Sequence, residues 1–253
     1  MTRRLLIRPG AIGDCIVSLP ALEHLNAEYT EVWTAGQNVP LIRFADRVRS
    51  ILSTGMDAYP PRLELLGGFD EIVSWYGTNR TDFREAAAQY PIRFLDALPN
   101  EPNLHATDFY LRQVGAPPGA IPRIDCTPVA ADPFIAVHPY SGSPRKNWLR
   151  FAEFAAEAPL PVRFCVSPEQ HWPGAVQYDN LYDLGRWLAG AAFYVGNDSG
   201  ISHLAAAVGV PSIVIFQASD PTIWAPRGSR VTVLDSPTLE ELLAKVRIQL
   251  PSG

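Results

Sequence analysis

Three loops in this chain of 253 residues collect residue types that can do chemistry together. The first is Gly10-Ala11-Ile12-Gly13-Asp14, directly after the apolar run Leu5-Leu6-Ile7. Two glycines let a backbone turn sharply and approach a ligand closely. Asp14 then stands at a strand end, where α/β proteins place functional groups. An aspartate is equally suited to capping a helix start, and the spacing leaves both readings open. The second loop runs from His138 to Trp148 and contains Ser141, Gly142, Ser143, Arg145 and Lys146. Backbone N–H groups, hydroxyls and two cations in a small-residue loop make a phosphate cradle, or else a solvated turn. Lys146 is one of only two lysines in the chain, so a cation of that type is not placed there by abundance. The third loop, Gly196-Asn197-Asp198-Ser199-Gly200-Ile201-Ser202-His203, follows an apolar strand and opens an alanine-rich helix. Unpaired N–H groups and a partial positive charge of about +0.5 at a helix start suit a diphosphate. Asp198 or Ser199 would serve as a plain cap just as well, and His203 as a packed polar residue. A fourth, weaker signal is Glu169 in Ser167-Pro168-Glu169-Gln170, where a carboxylate could accept from ribose hydroxyls or simply be solvated.

A dinucleotide fingerprint does not fit the first loop. That pattern needs G-x-G-x-x-G and an acidic residue about 20 positions on. Here the spacing is G-x-x-G and the second strand ends in Thr34-Ala35-Gly36, which disfavours a dehydrogenase.

The elements that must position these loops alternate along the chain. In the first half, strands are predicted at Leu5–Ile7, Glu31–Thr34, Ser50–Ser53, Glu71–Trp75 and Ile92–Leu95. Helices are predicted over Leu41–Val48, Asp82–Gln89 and Ala106–Val114. Pro20 predicts either a kink in the first helix or a helix that begins there. Five prolines between Gly115 and Pro133 read as a stiff connection, which sets the expected domains at 1–128 and 129–253. Strands then recur at Phe134–His138, Val162–Val166, Ala192–Gly196, Ser212–Phe216 and Arg230–Leu234. Helices are expected over Trp148–Ala158, Tyr182–Ala189, Ile201–Val208 and Thr238–Gln249, the last opened by a Thr-Leu-Glu-Glu capping box.

Bulk composition narrows the classes. Apolar residues make up 47% and charged residues 19%, with a formal charge of −5, a globular balance without the basic footprint of a nucleic-acid binder. The longest apolar stretch, Leu204–Phe216, is broken by Gly209 and Pro211 and falls short of the roughly 20 residues of a membrane span. The three apolar residues before Arg8 are too few for a signal-peptide core. Cys15, Cys126 and Cys165 are odd in number and widely spaced, with neither a disulfide framework nor metal-ligand spacing. A cytoplasmic location is expected.

Taken in order, four segments resemble glycosyltransferase family nine, the ADP-heptose:lipopolysaccharide heptosyltransferases. They are RPGAIGDCIVSLPAL from Arg8, SGSPRKNW from Ser141, GNDSGISHLAAAVGVPSIVIF from Gly196 and DPTIWAP from Asp220. The resemblance implies an α/β fold of GT-B type, with two Rossmann-like domains facing across a cleft. It implies an inverting, metal-independent transfer with no cofactor. The donor would be a nucleotide sugar, with heptose and ADP inherited from the family, and the acceptor a glycan or lipopolysaccharide-type molecule on the N-terminal domain. Contact with a membrane would come only through that acceptor. Asp14, beside Gly13, matches the family's general base. Lys146 and Ser143 match positions near the donor phosphates, and the loop of Ser141, Gly142 and Ser143 would help stabilise the charge there. Asp198, Ser199, Gly200 and His203 match the donor-binding helix start, where the N–H of Ile201 would add a donor, and Glu169 matches the ribose contact. Residues 1–126 hold twelve arginines, no lysine and fifteen acids, so a phosphorylated acceptor would have to be met by local arginines such as Arg43, Arg47 or Arg80. The rival readings are a sugar-nucleotide-binding protein without transfer, and an epimerase or hydrolase on the same fold.

Overall fold

The computed structural model describes residues 1–58 and 60–249. They form two compact units, Met1–Ala120 and Ile121–Gly253.

The first unit is built on a parallel sheet. Its elements in chain order are β1 (Arg3–Arg8), α1 (Ile12–His24), β2 (Tyr29–Thr34), β3 (Arg47–Ser50), β4 (Glu71–Ser74), α2 (Thr81–Ala87), β5 (Ile92–Phe94) and α3 (Ala106–Gln113). The sheet order is β3-β2-β1-β4-β5. Leu5, Leu6 and Ile7 are fully buried because β1 is central and covered on both faces, which is why its apolar residues run on without alternation. Leu5 and Ile7 pack with Trp33, Met56, Leu66, Ile72 and Phe83 in one core cluster.

Two local expectations in this unit are corrected. Residues 41–48 are not a helix: a 3-10 turn occupies Gly36–Leu41 and β3 follows at Arg47–Ser50. Pro40 within that turn cannot donate to a helical ladder, and Asp46 N–H instead bonds the Thr30 carbonyl, feeding the chain into the sheet. The strand expected over 50–53 ends at Ser50, and Ile51–Thr54 is a second 3-10 turn closed by Gly55 at φ +72°. As for Pro20, the helix begins at Ile12 and Pro20 lies inside it.

The second unit repeats the plan with one more strand. It comprises β6 (Ile135–His138), α4 (Phe151–Glu157), β7 (Val162–Val166), β8 (Val176–Gln177), α5 (Leu181–Ala189), β9 (Phe193–Asn197), α6 (Gly200–Ala207), β10 (Ser212–Phe216), α7 (Pro221–Trp224), β11 (Val231–Asp235) and α8 (Leu239–Gln249). The order is β11-β10-β9-β6-β7-β8, all parallel. Ile135, Val137, Val195 and Ile215 pack against Phe151 and Phe154 of α4 and Leu242 and Val246 of α8. The capping box before α8 forms: Thr238 N–H donates to Glu241 Oε2 at 2.8 Å, and Glu241 N–H to Thr238 Oγ1 at 3.2 Å. Gly209 closes α6 at φ +85°.

The division at Ala120 falls within the proline-rich connection, ahead of the boundary that composition set at 128. Residues 121–129 lie along the second unit. Ile124 is buried and its N–H donates to Ala207 O at 3.0 Å. Arg186 Nε donates to Thr127 O at 3.1 Å, and Val129 N–H to Arg186 O at 3.0 Å. Prolines mark a stretch that cannot be helical; they do not say which side it packs on.

Candidate functional site

In an open parallel sheet, ligands bind beyond the carboxyl ends of the strands where the strand order reverses. That reversal lies between β1 and β4 in the first unit and between β6 and β9 in the second. Both groups of sequence-selected residues sit at these two points.

In the first unit the chain leaves β1 at Arg8 and turns through Gly10. The turn needs glycine: φ is +152°, and a Cβ there would lie 3.0 Å from Asp14 Cβ and 3.2 Å from Arg8 Nη1. Ala11, not Asp14, is the N-cap of α1; Gly13 and Asp14 are the second and third residues of the helix. Asp14 nonetheless helps cap, since its Oδ2 accepts from Ala11 N–H at 3.1 Å. Its Oδ1 lies 4.0 Å from Arg8 Nη2, and the side chain keeps 24% of its surface exposed. One oxygen therefore secures the helix start while the group as a whole lines an open pocket of about 450 Å³. The pocket walls also include Arg8, Gly10, Trp75, Tyr76, Arg80 and Leu98, from the loops after β1, β4 and β5. Of the three arginines that could meet an anionic acceptor, Arg80 lines this pocket and Arg43 and Arg47 do not.

Arg8 is a residue that sequence reading passed over. It is 3% exposed, and burying a guanidinium is costly unless it is paired. Here Nη2 donates to Tyr110 Oη at 2.8 Å and Nη1 to Pro9 O at 2.8 Å, and the guanidinium lies 4.8 Å from the Tyr110 ring centre. Tyr110 on α3 in turn donates to Ala97 O at 2.8 Å. Burial pushes the Tyr110 phenol up to about 12 and the Cys15 thiol up to about 12, so both stay neutral beside the buried Arg8 guanidinium.

In the second unit Lys146 ends a 3-10 turn, Pro144–Lys146. Its ammonium donates to Asp198 Oδ2 at 2.6 Å. Asp198 is 5% exposed, and Ser219 Oγ donates to the same oxygen. Ser219, from the loop after β10, was not singled out in the sequence; its only signal was adjacency to the Asp220-Pro221 pair. The Ser141–Ser143 loop is tied down from below. Ser141 Oγ donates within 2.7 Å of Asn147 Oδ1 and Ser143 O, and accepts from Ser143 N–H at 3.3 Å. Gly142 is exposed, with open space where a side chain would stand. Asn197, the last residue of β9, joins the two segments: Oδ1 accepts from Trp148 N–H at 2.8 Å and Nδ2 donates to Pro139 O at 2.9 Å. Ser199 caps α6, accepting from Ser202 N–H at 3.4 Å. Gly200 and Ile201 open the first turn, and His203, two positions beyond Ile201, is buried with its N–H on Ser199 O at 3.4 Å. So Lys146, Asp198 and the α6 start are brought together. Glu169 is not joined to them by any hydrogen bond or ion pair among the described residues; it is exposed in the turn after β7, where Gln170 N–H bonds Ser167 O at 3.0 Å.

Beneath this site His138 ends β6 with 5% exposure, its Nδ1 donating to Cys165 O at 2.9 Å. Burial holds the imidazole neutral, down to about 4 from 6.5. The unfolded chain therefore binds this proton first as pH falls. The stabilising contribution is complete above about pH 6.5 and is lost progressively toward pH 4, on the order of 3 kcal/mol in all. Urea titrations at pH 7 and pH 5 are expected to show a loss of about 2 kcal/mol more in the native chain than in His138→Gln. Equal losses in the two proteins would remove His138 as the cause.

Solved glycosyltransferase structures share this architecture. The fold resembles Escherichia coli ADP-heptose LPS heptosyltransferase II at a TM-score of 0.77 and 15% identity, covering 98% of each chain. It resembles the family 9 glycosyltransferase of Veillonella parvula at 0.71 and 17%, covering 99% of this chain and 90% of that one. Escherichia coli heptosyltransferase WaaC with ADP matches at 0.69 and 16%, again over 98% of both. The fold is thus that of the GT-B class, with two Rossmann-like domains. The profile of glycosyltransferase family 9 (heptosyltransferase) matches residues 179–249, a span that holds Asp198, the α6 start and Ser219. No curated protein sequence matches the chain.

Proposed function

We propose that this chain moves a sugar from a nucleotide-sugar donor to a hydroxyl of a glycan acceptor, with inversion at the anomeric carbon and without a metal ion. The observation that carries the reading is the Lys146–Asp198 pair at the β6/β9 reversal, with Asp198 inside the span that the family profile matches. A lysine held beside a helix start is a place for a diphosphate whose charge grows as the sugar leaves. The N–H groups of Gly200 and Ile201 and the loop of Ser141, Gly142 and Ser143 add donors around it. On the acceptor side, Asp14 takes the proton of the attacking hydroxyl, a form of help worth roughly 10²–10⁴ in rate. Glu169, His203 and Ser199 complete the donor contacts in this scheme, Glu169 at the ribose. The WaaC structures hold ADP and ADP-2-deoxy-2-fluoro heptose, which makes an ADP-linked heptose the first donor to test and a lipopolysaccharide-type glycan the first acceptor.

The test is ADP release from ADP-heptose with and without a glycan acceptor, each in the presence and absence of EDTA. Release is expected only with acceptor, with a β-linked donor giving an α-linked product, and unchanged by the chelator. Release without acceptor would make the protein a hydrolase, and loss of activity with EDTA would end the metal-free scheme. A rise in Tm with ADP but no product from any acceptor would leave a binding protein, since bound ligand stabilises by mass action whether or not it reacts.

A further inference from the structure

Three successive carbonyls after β1 each accept from a side chain. Thr34 Oγ1 donates to Arg8 O at 2.8 Å, Arg8 Nη1 to Pro9 O at 2.8 Å, and Asn38 Nδ2 to Gly10 O at 3.0 Å. The turn held in this way is the one built on Gly10 at φ +152°. Glycine widens the range of backbone conformations, so the turn needs tethers if the residues after it are to stay in place.

Asn38 is the tether whose presence asks for a reason. It lies in the 3-10 turn after β2, is fully buried, and its Oδ1 has no hydrogen-bond partner. A buried carbonyl without a donor is destabilising, and native structures keep few of them. A leucine would fill nearly the same space and leave nothing unpaired. The amide is therefore explained by its other end, the bond from Nδ2 to Gly10 O. That carbonyl belongs to the Gly10–Ala11 peptide group, and the N–H of the same group donates to Asp14 Oδ2 at 3.1 Å. A single planar unit thus joins a buried amide to the carboxylate. Hydrogen bonds in series polarise one another, and any rotation of the plane would break both at once. With Oδ2 engaged, Oδ1, 4.0 Å from Arg8 Nη2, is the oxygen left to take a proton.

We propose that Asn38 is a positioning residue for the general base: through the Gly10–Ala11 peptide it fixes which oxygen of Asp14 is held and which is offered to the acceptor hydroxyl. The inference rests on the role given to Asp14 above. Displacing a reacting group by about 1 Å can lower a rate roughly 10²-fold, so a tether two hydrogen bonds away from the chemistry is felt in turnover.

The test places Asn38→Leu in the native chain and in Asp14→Asn, with ADP-heptose as donor and a lipopolysaccharide core oligosaccharide as acceptor. In the native chain the turnover number is expected to fall about 10–10²-fold, with KM for ADP-heptose and the affinity for ADP unchanged. In Asp14→Asn, which already lacks the base, the same substitution is expected to change the rate by less than about twofold, because residues that act as a unit are not additive. A residue that served the fold alone would cost the same in both backgrounds, and that result would overturn the proposal. Asn38→Ala makes the same comparison if leucine prevents folding. A second readout needs no substrate. In the ¹⁵N-labelled chain the Ala11 amide proton, assigned with Ala11→Gly, is expected to move upfield in Asn38→Leu, as it does in Asp14→Ala, while α1 amides from Ser18 onward keep their shifts. An Ala11 signal indifferent to Asn38 would also overturn the proposal. Asp14→Asn at full rate ends the general-base reading and this inference with it; a slow Asp14→Asn beside a full-rate Asn38→Leu ends this inference alone.

Discussion

Asp14→Asn is expected to lower the turnover number by about 10²–10⁴ while leaving donor binding and stability close to native. The geometry makes this substitution unusually clean. Asparagine retains an oxygen for the Ala11 N–H that Asp14 Oδ2 now accepts, so the start of α1 stays capped. What disappears is the capacity to take a proton. Single-turnover transfer with saturating donor is the decisive measurement, since it reads the chemical step apart from product release. Near-native rates with unchanged donor affinity would reduce Asp14 to a structural residue and end the general-base scheme. Asp14→Ala is the informative companion: it removes both functions, so a drop in Tm for alanine without one for asparagine separates capping from chemistry.

Lys146→Ala carries the second large effect. Removing a preorganised donor from the departing diphosphate is expected to cost about 10²–10³ in turnover number, with a smaller change in donor affinity. The same substitution withdraws the cation from Asp198, which is 5% exposed and then keeps only Ser219 on that oxygen. A buried carboxylate left without its counter-charge is destabilising, so Tm is expected to fall as well, and the kinetics must be measured well below it. Lys146→Ala in an Asp198→Asn background is expected to recover much of the stability and none of the rate. Recovery of rate would mean that the lysine served the fold alone.

Much of this arrangement can be read before any coordinates. β7 and β10 are found at their expected bounds, Val162–Val166 and Ser212–Phe216, because a buried parallel strand is a short apolar run with turn residues on either side. The loops after β1, β6 and β9 were legible because glycine, serine and aspartate cluster where strands end. The failures are equally specific. Leu41, Phe44 and Val48 suggested a helix, but Pro40 and the pull of the sheet edge on Arg47–Ser50 decided otherwise. Capping chemistry alone could not rank Ala11 above Asp14, since alanine is a poor cap and wins here only because Asp14 reaches back to serve its N–H. Arg8 closed a strand in the sequence, and its burial against Tyr110 is a property of tertiary packing that no spacing encodes. Ser219 was missed for a related reason: it meets Asp198 across 21 positions of chain, with no local pattern to announce the meeting.

The stretch from Ile121 to Val129 has a practical consequence for anyone who wants the second half by itself. It behaves as a sash knotted to Ala207, Arg186 and Tyr182, so a truncated protein opening at residue 129 would bare the ground on which Ile124 rests. An excised half that is to keep Ile124 covered should open at Ile121.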